Sequence, residues 1–144
     1  MSRRYHGNYR AKHAADTKVD DIIMDQVASN LVEGRMTCHI AHAIATALAV
    51  PPGQVGVAID LQNGRIDACQ LGLFGYGKIK RIAQDGAEIN AQLKSAIEKE
   101  LIDKRLSCAA AWSIANGNGF ARLEVGRACE KLGIKINLCQ LGAF

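Results

Sequence analysis

Val55 to Phe74 reads VGVAIDLQNGRIDACQLGLF and Val125 to Phe144 reads VGRACEKLGIKINLCQLGAF, so one pattern returns after 70 residues without a gap. The register extends upstream: Arg35, Cys38, Ala41, Ile44 and Ala45 recur as Arg105, Cys108, Ala111, Ile114 and Ala115. Further back, Val19, Val27, Leu31 and Val32 correspond to Ile89, Ile97, Leu101 and Ile102. The chain is therefore a duplication of a unit spanning 19–74 and 89–144, joined by 75–88 and preceded by an arm, 1–18. Units of this size gain from burying a face against a twin, which predicts two small subdomains packed pseudo-symmetrically as one body.

Charge divides unevenly between the parts. The whole chain carries a formal +4, and residues 1–18 alone hold five basic residues against one acidic, also +4. The first copy has two basic residues against six acidic ones, −4, and the second has eight against five, +3. Two copies so different in sign cannot meet one polyanion in the same way. No apolar run reaches the 18 or so residues needed to cross a bilayer and the first residues lack a secretory pattern, so a soluble, cytoplasmic protein with no membrane partner is expected. Five cysteines make an odd count, and four of them sit at matched or apolar repeat positions, which predicts reduced core thiols.

The opening MSRRYHGNYRAKHAADTK interleaves cations with tyrosine and histidine and has no apolar period, the composition of a mobile basic arm. Helix one is predicted from a cap at Asp16 or Thr17 to Glu33, on the apolar spacing of Val19, Ile22, Ile23, Val27 and Leu31. Thr37 caps helix two, whose inner face is Cys38, Ala41, Ala45 and Leu48. Pro52 opens helix three, with Val55, Ala58, Ile59 and Gln62 inward, and Asn63-Gly64 ends it before a strand over 65–71. The second copy repeats the plan, with Ser107 as a cap, Gly133 as a stop and an alternating strand at Ile134, Ile136 and Leu138. Gly56 and Gly126 predict the close approach of two helices, or of a ligand backbone.

Three helices and a strand, with a tight break between the second and third helices, resemble the winged helix-turn-helix domains. The residues that carry the resemblance are Ile44-Ala45-x-x-Leu48-x-Val50-x-Pro52-x-x-Val55-Gly56-x-Ala58, a small residue where the helices cross and a valine that pins the third helix. The expected fold is thus mainly α, two tandem winged-helix-like repeats of three helices plus a strand. The function implied is that of a DNA-binding transcriptional regulator or accessory factor, not an enzyme. Lys78, Lys80 and Arg81 suit a basic wing after the first strand; alternatively, the segments around Cys69-Gln70-Leu71 and Cys139-Gln140-Leu141 pair as strands with each other. The second copy ends too soon for a hairpin, so its strand has to pair elsewhere.

On the third helix of the second copy, Arg122, Arg127 and Lys131 are the residues expected to meet DNA, helped by Arg3, Arg4 and Arg10 of the arm. The equivalent face of the first copy, Gln54, Val57, Asp60 and Leu61, offers one base-reading amide, one carboxylate and two apolar groups. Val57 and Leu61 define the alternative, a protein-interaction adaptor on the same fold, whose partner is another protein or a second copy of the chain. Cys38-His39-x-x-His42 is the one arrangement with metal-ligand chemistry, and its twin Cys108-Ala109-x-x-Trp112 lacks the imidazoles. No glycine-rich phosphate loop or nucleophile-base set stands out, and no cofactor is expected.

Overall fold

The computed structural model describes residues 9–74 and 89–143. Within them the protein is mainly helical, with six α-helices, a 3-10 turn at Tyr9–Lys12 and four short strands. The first copy contributes α1 (Asp21–Asn30), β1 (Arg35–Thr37), α2 (Cys38–Leu48), α3 (Pro52–Leu61) and β2 (Arg65–Asp67). The second contributes α4 (Ala91–Glu100), β3 (Arg105–Ser107), α5 (Cys108–Asn118), α6 (Arg122–Leu132) and β4 (Lys135–Asn137), each element beginning 70 positions after its counterpart.

Local chemistry fixes most boundaries. The Asp20 carboxylate accepts from the Ile22 amide at 2.9 Å, so the cap of α1 lies three or four positions later than Thr17 or Asp16, where it was expected. Asn90 does the same for α4, accepting from Gln92 and Leu93. Thr37 and Ser107 cap α2 and α5 through their hydroxyls, as their positions predict. Pro52 stands in the first turn of α3, where its missing amide donor costs nothing. Gly133 closes α6 in the left-handed conformation.

The first helix also stops earlier than its apolar spacing predicts, because Val32 and Arg35 exchange backbone hydrogen bonds of 2.8 and 3.0 Å across a two-residue turn. Glu33 and Gly34 both have positive φ, the signature of a type I′ turn. Asp103 and Lys104 repeat that turn in the second copy without a glycine. The turn launches β1 and β3, strands that the sequence reading did not anticipate. Each copy therefore has two strands, not one, and they pair in parallel within the copy: Arg35 with Arg65, Met36 with Ile66, Thr37 with Asp67, and likewise Arg105 with Lys135, Leu106 with Ile136, Ser107 with Asn137. Parallel neighbours need a long crossover, which the two intervening helices provide. The last strand of the second copy accordingly has its partner inside its own copy. Residues 69–71 and 139–141 lie in no strand, so β2 is shorter than 65–71 and the alternative pairing of the two Cys-Gln-Leu segments as strands does not form.

Two compact units result, but their membership is exchanged at the ends. The described residues up to Ala68 form one unit together with those from Gln140 onward, and those of Cys69–Cys139 form the other. In the first unit Ile23, Val27, Met36, Ala41, Val55, Ala58, Ile59 and Leu141 make the interior; in the second it is Leu71, Leu93, Ile97, Leu106, Ala111, Val125, Ala128 and Cys129. Gly56 and Gly126 explain the exchange. A Cβ at Gly56 would overlap the Leu141 carbonyl, and one at Gly126 would overlap that of Leu71. These glycines admit the backbone of a terminal segment, not a second helix.

Candidate functional site

The helix pair α2 and α3 turns through 119° at a break of three residues, 49–51, with Ala49 in the left-handed conformation. The outer face of the third helix is where the sequence placed the functional residues. In the first unit that face is mostly covered. Asp60 and Leu61, expected to point outward, are 5% and 7% exposed. The reason is the arm: the His13 Nε2 lies 2.8 Å and the Lys12 Nζ 3.1 Å from the Asp60 carboxylate. Arg10 Nη1 donates to the Leu61 carbonyl at 2.9 Å, and the Arg10 amide donates to the Asn63 side chain. The described end of the arm is thus a built part of the first unit, and Arg10 serves the carbonyl end of α3 in place of a phosphate. Leu61 is removed as a protein-docking residue, while Gln54 is exposed and Val57 half-buried.

In the second unit the equivalent face divides. Arg122 stacks its guanidinium 3.6 Å from the Trp112 ring centroid and bonds the Gln70 side-chain oxygen. That cation secures the 69–74 segment against α6 and is not presented outward. Arg127 is half-buried and Lys131 exposed; with Glu124, Asn90, Ile89 and Leu93 they line a hollow of about 150 Å³. Its counterpart in the first unit, about 390 Å³, is lined by Thr17, Lys18, Val19, Asp20, Gln54 and Val57. Of the residues expected to meet DNA, the structure brings Arg127 and Lys131 together. Arg3, Arg4, Lys78, Lys80 and Arg81, with the wing assigned to 75–88, lie outside the described residues.

Cys38 is buried while His39 on the next position is exposed, and among the described residues no group of three or more His, Cys, Asp or Glu is placed to hold a metal ion. The Cys38, His39 and His42 arrangement therefore does not assemble as a site. All five cysteines are thiols outside any disulfide, and burial pushes the Cys69 thiol up and the Cys129 thiol up to about 12. Those two are poor nucleophiles and poor ligands near neutral pH. Sequence reasoning missed Asp60 as the anchor of the arm and Gln70 as the partner of Arg122. A lone aspartate in the apolar run Val57-Ala58-Ile59-Asp60-Leu61 is the signal that could have pointed to the first.

Among the described residues no single helix is long and apolar enough to cross a membrane. No protein-family model, curated protein or solved structure matches the chain.

Proposed function

We propose that the protein binds double-stranded DNA as a transcriptional regulator or accessory factor, its two copies being tandem variants of the winged helix-turn-helix. The observation that carries this reading is the 119° turn between α2 and α3 across three residues, inside the range of about 90–120° that helix-turn-helix pairs adopt. A three-residue break separates α5 and α6 as well. Arg127 and Lys131 on α6 supply the positive charge that α3 lacks, so the second copy is the DNA-facing one and the first, with its arm folded onto α3, is its support.

Electrophoretic mobility on a mixed-sequence duplex, titrated with salt, tests the reading. A shift at low salt that weakens steeply as salt rises is expected, with Arg127→Ala and Lys131→Ala each weakening it and Val57→Ala leaving it unchanged. Absence of any shift at low salt refutes DNA binding; unchanged affinity in both α6 variants refutes the helix-turn-helix as its means.

A further inference from the structure

The first copy is acidic, and among its residues 19–74 there are only two Lys or Arg side chains, Arg35 and Arg65. They are 30 positions apart in the chain, and the fold makes them direct register partners on the β1–β2 ladder. Both are exposed, because the alternation of a strand turns the first residue of each outward while the next rung, Met36 with Ile66, goes into the core. The second copy repeats the arrangement with Arg105 opposite Lys135, again exposed over a buried Leu106–Ile136 rung.

Like charges set directly opposite on neighbouring strands repel and are destabilising. Six carboxylates are available in the first copy, yet among the described residues neither ladder arginine forms an ion pair; nor do Arg105 and Lys135. The copies diverged from −4 to +3 over the same elements, and the cation pair came through in both. The turn feeding each ladder holds an exposed apolar residue beside it, Val32 at 71% and Ile102 at 74%. A pair of cations on adjacent strands, about 4.8 Å apart at the backbone, matches a target with closely repeated negative charge. Duplex DNA carries one negative charge per roughly 3.4 Å of helix axis on each strand, about 1.7 Å with both strands counted.

We propose that the ladder pairs Arg35 with Arg65 and Arg105 with Lys135 are two equivalent phosphate-backbone contacts for duplex DNA, one in each unit. The proposal rests on the DNA-binding reading above but moves the principal contact from α6 to the strands, and it gives the acidic first copy a DNA-facing site of its own. Val32 and Ile102 add an apolar contact beside each clamp, of the kind that seats against sugars or a base step.

The test compares full-length charge-matched doubles on the same mixed-sequence duplex: Arg35→Gln with Arg65→Gln, Arg105→Gln with Lys135→Gln, and the control Lys94→Gln with Lys99→Gln on the exposed face of α4. Each ladder double should reduce the slope of log affinity against log salt by about 1.8, so that roughly tenfold less affinity is lost between about 50 and 200 mM salt; the control should keep the wild-type slope. Circular dichroism melts confirm that the variants fold. A ladder double with the wild-type slope, or a control that flattens it equally, overturns the proposal. So does binding of wild type to phosphatidylserine vesicles without any shift of duplex. Loss on the ladder with wild-type binding by the Arg127→Ala and Lys131→Ala chains upholds the clamps and retires α6.

Discussion

Adding one methyl group to the chain should have opposite signs at three helical glycines. At Gly117, near the end of α5, nothing lies within 4 Å of the Cβ position, so alanine brings only its helix preference, about 0.5–1 kcal/mol of added stability. At Gly56 and Gly126 the same methyl overlaps the carbonyls of Leu141 and Leu71, and backbone cannot rotate aside as a flexible side chain does. If the segment stays and the helix deforms, overpacking costs about 1–3 kcal/mol. If the segment leaves, the burial of Leu141 or Leu71, both fully enclosed, is lost at about 1.5–3 kcal/mol. Subtracting a helix-preference gain of about 1 kcal/mol leaves a net loss of about 0.5–2 kcal/mol if the segment leaves and of up to about 2 kcal/mol if it stays. At about 2–4 °C per kcal/mol for a chain of this length, Gly56→Ala and Gly126→Ala should melt several degrees below wild type and Gly117→Ala slightly above it. Thermal melts followed by circular dichroism measure all three. Gly56→Ala and Gly126→Ala proteins that melt at or above wild type would refute the seating of residues 69–74 and 140–143 on α6 and α3.

Two further outcomes follow from the same contacts. Asp60→Ala should free the arm and cost about 1–2 kcal/mol, a charge-assisted pair discounted for the partial exposure of Lys12 and His13; trypsin should then cut at Arg10 and Lys12 well before the rest of the native chain, and unchanged protection would sink this assignment. The raised pKa of the Cys129 thiol stabilises the fold fully below its ordinary value of 9.0 and loses that contribution as pH climbs toward about 12, where the buried thiol ionises. Unfolding free energy should therefore fall with pH above about 9 less steeply in Cys129→Ala than in wild type. In native protein, half-buried Cys139 should react with an aromatic disulfide reagent long before Cys129 does.

The helices were legible because they depend on neighbours in sequence: Thr37, Ser107, Pro52 and Gly133 announce their ends by cap and turn chemistry, and the buried stripes follow the helical period. Of the strands, β2 and β4 fall inside stretches read as strands, but β1 and β3 were not legible. Three residues with one buried position, Met36 or Leu106, show no alternation to read, and their pairing partner lies beyond two helices. The outward placement of Asp60 failed for a related reason. Periodicity assigns a face by the helix alone, whereas Asp60 is enclosed by Lys12 and His13, 48 and 47 positions upstream. The DNA-facing set was drawn from α6 because arginines gather there in sequence, but Arg122 belongs to Trp112 and Gln70, a use that only the third dimension reveals.

What the two copies kept and what they changed separate along the same line. Backbone requirements are identical in both: a glycine where a carbonyl crosses the third helix, positive φ at two turn residues, and a buried rung beneath an exposed one. The side chains that secure each crossing segment differ outright, Lys12 donating to the Gly142 carbonyl in the first unit and Arg122 reaching Gln70 in the second. Side-chain fastening is thus replaceable, since any donor of sufficient reach serves. Against that freedom, Arg35 with Arg65 and Arg105 with Lys135 are the exception: exposed groups that form no ion pair among the described residues, oppose one another, and are cationic in both copies. Fold maintenance explains the glycines, the turns and the buried rungs, and it leaves the paired cations over, which the proposed DNA contact would account for.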